Sequence, residues 1–161
     1  MRREPQRTGG VFISDLSAES GAATLIEALD LYPGAYIEFL NRDQLDGEAL
    51  QERLSLAAYL VLPSLSYEPM PRPLVEAFAN GVPVIGSHAG ALAELIEPGR
   101  NGLLFEPGSA RDLARRLAWA DAFPEKMRQM GECARADYQA RFIGDWGYQK
   151  LFGERRRSAR V

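Results

Sequence analysis

Residues 61–90, VLPSLSYEPMPRPLVEAFANGVPVIGSHAG, constrain what this chain can fold into more than any other stretch. The run Tyr59–Leu62 is apolar throughout and is stopped by Pro63. A loop follows over 64–72, carrying Glu68 and stiffened by Pro69, Pro71 and, just beyond it, Pro73. The spacing predicts a short helix over 74–80, with Pro73 suited to its first position and Gly81 to its C-terminal cap. A second apolar strand is expected over 84–86. Continuous apolar runs on both sides of a helix are the pattern of a parallel sheet buried on both faces. Ligands of such sheets lie at the carboxyl ends of strands, beside helix N-termini. Glu68 and Pro73 fall at that edge, and Glu76 lies one turn into the helix.

The rest of the chain repeats the alternation. Strands are expected at 11–13, 36–40 and Gly102–Phe105, besides the two above. Helices are expected at Ala22–Leu31, 48–57, 89–96, 110–120 and 124–142, with more helix over 143–153. In Ala22–Leu31 the apolar residues Ala22, Leu25, Ile26 and Leu29 mark one face. Ser109 is placed to cap the helix at 110–120, with Asp112 at its third position as in a capping box. Strands alternating with helices make the fold α/β, a Rossmann-like, mostly parallel sheet of about five strands flanked by helices. The chain divides into a polar, flexible lead (1–10), one domain (11–153) and a basic tail (154–161).

Composition narrows the function. A chain of 161 residues can build one domain with a real core. The net charge of −3 gives no reason to expect nucleic acid as a partner. Cys133 is the single cysteine and His88 the single histidine, so an intramolecular disulfide and a four-ligand Cys/His zinc site are both excluded. MRREPQRTGG lacks the apolar core of a secretion signal, and no apolar run approaches the roughly 20 residues of a spanning helix. The expected location is the cytoplasm.

One ordered set of motifs goes further. Pro63-Ser64 ends a strand; Tyr67-Glu68 precedes Glu76-Ala77-Phe78-Ala79 with seven residues between the glutamates; Gly81-Val82-Pro83-Val84-Ile85 follows directly. Gly90 then precedes Glu94-Leu95-Ile96, and Asn101-Gly102-Leu103-Leu104-Phe105 precedes Pro107-Gly108. The glutamate spacing alone carries nothing, because Glu19 and Glu27 repeat it. The order of the pieces carries the signal. From Pro63 to about Ala120 the chain resembles the C-terminal, donor-binding domain of the retaining, group 1 (family 4) glycosyltransferases of GT-B fold.

The resemblance implies a sugar nucleotide, UDP-, GDP- or ADP-linked, as substrate, no cofactor, and a mechanism that requires no metal. It assigns the sugar contact, and so the catalytic position, to Glu68 and the ribose hydroxyls to Glu76. A carboxylate can accept two hydrogen bonds from a vicinal diol. The loop between the glutamates offers N–H groups at Met70, Arg72 and Leu74 but not at its prolines. His88 and Gly90 lie at the next strand exit, where the backbone near Gly90 would meet the phosphates. Plainer readings stand beside these: a solvated loop acid for Glu68, a surface helix residue for Glu76, a loop charge for Arg72, an exposed histidine for His88 and a helix-entry glycine for Gly90. Cys133 reads as packing. Arg155, Arg156 and Arg157 read as a solvated tail, with peripheral contact to an anionic membrane surface as the sharper alternative.

The chain also departs from the family. There the first turn carries an Arg and, five residues on, a Lys before a Gly, which neutralise the donor diphosphate. Here Asp15 and Ser20 stand at those positions, ahead of Gly21. Each such contact is worth about 1.5–3 kcal/mol, so donor binding is expected to be weakened by orders of magnitude. A strand–helix unit of the family is missing between 31 and 36. The family's acceptor site belongs to an N-terminal domain, which implies such a domain or a second chain as partner and an isolated chain that is inactive. Two functions follow: a donor-binding domain contributing to glycosyl transfer, or a degenerate, non-catalytic module for binding or assembly.

Overall fold

The apolar runs become the strands of one parallel sheet in the computed structural model, which describes Arg7 and residues 9–14, 20–65 and 71–143. The order along the chain is β1 (Gly10–Ser14), α1 (Ala22–Leu31), β2 (Ile37–Asn41), α2 (Gly47–Ser55), β3 (Tyr59–Leu62), α3 (Arg72–Ala79), β4 (Val84–Ser87), α4 (Gly90–Leu95), β5 (Gly102–Phe105), α5 (Ala110–Ala122) and α6 (Pro124–Tyr138). The sheet order is β2-β1-β3-β4-β5, with all neighbouring pairs parallel. The chain steps outward from β1 to β2, then returns past β1 to β3. The direction therefore reverses between β1 and β3, and a ligand crevice belongs at their carboxyl ends.

Side-chain alternation splits each apolar run between two layers. Val11, Ile13, Leu60, Leu62 and Val84 face α2, α3 and α4. Phe12, Tyr59, Val61, Ile85 and Phe105 face α1 and α5. Tyr59 is buried, and its hydroxyl donates to Asp121 on α5 at 3.3 Å, while Tyr32 donates to the same carboxylate at 3.1 Å. That shared acceptor joins the C-terminal ends of α1 and α5 and gives the buried phenol its partner.

Helix α6 crosses beneath the amino ends of β4 and β5. Gly131 lies so close to the α3–β4 turn that a Cβ there would stand 2.2 Å from the Gly81 carbonyl oxygen. At the other end of the helix Arg100 and Asn101, the two residues before β5, bind Asp137. A cleft of about 510 Å³ lies along this amino edge, between Arg7, Pro83, Met127 and Arg135, on the opposite side of the sheet from the β1–β3 crevice.

Several sequence expectations shift. Helix α3 starts at Arg72, two residues early, and Pro73 sits inside the first turn; the missing N–H costs nothing there because first-turn donors have no intrahelical acceptor. Gly81 does terminate the helix, at φ 69°, with Val82 N–H on Ala77 O and Gly81 N–H on Phe78 O. On α1, Leu25 and Ala28 are buried while Ile26 is 54% exposed, so the buried face is narrower than the apolar spacing suggests. Ser109 caps α5 through the Asp112 N–H at 3.1 Å, but the Asp112 carboxylate takes the Glu106 N–H instead of closing a box. Helix α6 is α-helical only to Tyr138; the wider turn Gln139–Ile143 follows, and Phe142 is buried. The expected lead, tail and helix over 143–153 lie almost wholly outside the described residues.

Candidate functional site

The carboxyl edge of the sheet gathers the exits of all five parallel strands. At β1, Gly21 enters α1 with φ 79°, and a Cβ on it would stand 1.9 Å from the Pro63 carbonyl oxygen. The start of α1 therefore abuts the exit of β3, and only glycine fits between them. Ser20, at the position of the family's Lys, receives the Ala22 N–H on its hydroxyl at 3.4 Å, a local turn contact. Asp15, Glu68 and Met70 lie outside the described residues.

Glu76 projects from α3 toward α2, and its side chain is only 12% exposed. Both carboxylate oxygens are engaged. Arg42 Nη2 donates to Oε1 at 2.6 Å, and Gln51 Nε2 donates to Oε2 at 2.7 Å. Arg42 Nη1 also reaches Oε2, at 3.4 Å, and Arg72 Nε stands 3.8 Å from Oε1. The network continues through Gln51 Oε1, which accepts from Asn80 at 2.7 Å. Arg42 is the residue after β2, and its backbone N–H points to Ser14 O at 3.5 Å, which ties it to the end of β1. Sequence reasoning missed it. The signal was legible, because a cation directly after a strand lies at the same sheet edge as Glu76.

The other expected site residues separate by environment. Arg72 is exposed at the first position of α3. Leu74 is fully buried, and its N–H, expected to be free for a ligand, is spent on Pro71 O at 3.1 Å. The early start of the helix is the cause. His88 is exposed at the β4 exit, with its N–H on Phe105 O at 2.9 Å. Gly90 opens α4 at φ 53°, a conformation that favours glycine, and is exposed. Beside them Ser87 is fully buried, and its Oγ has no hydrogen-bond partner among the described residues. Among the described residues no group of three or more His, Cys, Asp or Glu could hold a metal ion.

The model of the family described as "Glycosyl transferases group 1" matches residues 27–137. This chain belongs to that family. As a group 1 glycosyltransferase domain it is 36% identical over 92 residues to the MMP alpha-(1->4)-mannosyltransferase of Mycolicibacterium hassiacum, a match covering 56% of this chain and 22% of that protein. Among solved structures, sucrose-phosphate synthase from Thermosynechococcus elongatus superposes at a TM-score of 0.76 and 26% identity, over 98% of this chain and 47% of the other. Anabaena HepE, solved in complex with UDP and glucose, superposes at 0.75 and 23% identity, over 92% and 48%. The chain thus spans about half the length of these solved structures and 22% of the mannosyltransferase. Its sheet and flanking helices are those of the GT-B glycosyltransferases it superposes on. Among the described residues no helix is long and apolar enough to cross a membrane.

Proposed function

We propose that this group 1 domain binds a sugar nucleotide and contributes it to a retaining glycosyl transfer. The acceptor side is completed by an N-terminal domain, in the same or a second chain. The observation that carries this reading is Glu76: a carboxylate held at the helix next to the β1–β3 crevice, where an α/β sheet takes its ligand. Its two oxygens are the acceptors a ribose diol needs. Glu68, four residues before α3 in the sequence, contacts the transferred sugar. Arg72, the backbone at Met70, and His88 with Gly90 at the next exit line the path toward the phosphates. Leu74 contributes by packing α3 onto the sheet, which fixes where Glu76 stands.

The test is calorimetry on the 161-residue chain with UDP-, GDP- and ADP-sugars, UDP-glucose being the first choice because HepE is solved with UDP and glucose. Heat of binding with at least one donor, abolished in Glu76→Ala, is the expected result. No heat with any donor at millimolar concentration would sink the proposal.

A second reading, a non-catalytic relative kept for binding or assembly, is favoured by two observations. Glu76 is already engaged by Arg42 and Gln51, and Ser20 is spent on a local turn. It predicts negligible donor binding by the wild type and its appearance in the double variant Asp15→Arg, Ser20→Lys. Tight binding by the wild type excludes it.

A further inference from the structure

We infer that Arg42 is a cation of the donor site that leaves Glu76 for the donor's phosphate as the ribose binds, so that diol and phosphate are recognised as one unit. This rests on Glu76 as the diol acceptor. The bond between Arg42 and Glu76 at 2.6 Å is charge-assisted, whereas a ribose hydroxyl brings no charge. A neutral diol that displaced the guanidinium would leave a partly buried cation without its counter-ion, which is unfavourable. A ligand that carries its own anion removes that cost.

The surroundings of Glu76 fit such an exchange. When Arg42 turns away, Gln51 still holds Oε2 and Arg72 stays near Oε1, so the carboxylate keeps its position while Oε1 opens. One carboxylate between two arginines leaves a net positive charge. The Arg42 side chain is 27% exposed, so it has solvent on one side to move into. Its backbone is tied to Ser14, the residue before Asp15 in the sequence, and Asp15 and Ser20 stand where the resemblance expects cations. Arg42 is thus a cation anchored at the end of β1, the strand after which those cations are expected.

The experiment compares each nucleoside diphosphate with its nucleoside (UDP with uridine, GDP with guanosine, ADP with adenosine) on the 161-residue chain at low and high salt. The wild type is expected to prefer at least one diphosphate by about tenfold or more, with affinity falling as salt rises. Arg42→Gln should lose about tenfold for that diphosphate, lose nothing for the nucleoside, and show a flatter salt dependence. Arg42→Lys keeps the cation, and should keep the preference; it also carries the test if circular dichroism shows Arg42→Gln to be unfolded. An Arg42→Gln variant with wild-type diphosphate affinity and salt dependence overturns the inference. So does an equal loss for both ligands, which would mean that Arg42 only holds Glu76 in place, or an Arg42→Lys variant without the preference. Failure of every variant and of the wild type to bind any nucleotide overturns the donor reading itself, a result separate from these.

Discussion

Asp137 shows how one carboxyl ties a loop to a helix. Arg100 donates to it at 2.7 and 2.8 Å and the Asn101 amide nitrogen at 2.8 Å, while the oxygen of the same amide accepts the Glu97 N–H. The Arg100 bonds hold its pKa below the usual carboxylate value, against the opposing effect of burial. A depressed pKa means that the folded state binds fewer protons than the unfolded state in acid. The stabilisation is thus present above the unfolded pKa, near 4, and is lost as pH falls through the lower folded value. Arg100 is half exposed, so the pair contributes only about 1 kcal/mol at neutral pH. Melting temperatures of wild type and Asp137→Asn from pH 7 to pH 3 should differ most at neutrality and converge in acid. Parallel curves would show that the carboxylate charge is not what matters.

Two glycines govern how α6 meets α3. In an isolated helix, Gly131→Ala would be favourable by about 1 kcal/mol. Here the new Cβ would meet the Gly81 carbonyl oxygen at 2.2 Å, and Gly81 is fixed at positive φ in the turn that ends α3. Backbone against backbone leaves no flexible atom to yield. Gly131→Ala is therefore expected to destabilise by about 1–3 kcal/mol, read as a lower urea midpoint. A raised midpoint would mean that helix propensity prevails. The elements themselves were largely legible in the sequence. Ala22–Leu31, Tyr59–Leu62 and Gly102–Phe105 fall where periodicity and turn residues put them, because those signals are local. Contacts between distant residues were not. Arg42 and Glu76 are 34 residues apart, and Asn101 and Asp137 36 apart, and no periodicity links either pair. The exposure of Ile26 escaped for a related reason: spacing marks an apolar stripe but not how much of it the neighbouring layer covers.

At the scale of the molecule, the five-stranded sheet with order β2-β1-β3-β4-β5 leaves β2 at one margin. Tyr36, just before it, and Phe39 within it are both substantially exposed, and Phe39 rests edge-on against Phe12 at 5.3 Å. The outer rim of β2 presents backbone donors and acceptors with no neighbouring strand among the described residues, beside an aromatic ring. Such a rim is a template for adding another extended segment, and proteins guard it with charge. Glu38, the second residue of β2 and paired with Arg53 at 3.2 Å, is that guard. The resistance of this domain to edge-to-edge pairing therefore depends on the ion pair between Glu38 and Arg53. Conditions that screen or neutralise it, high salt or acid, are those in which the domain will first self-associate.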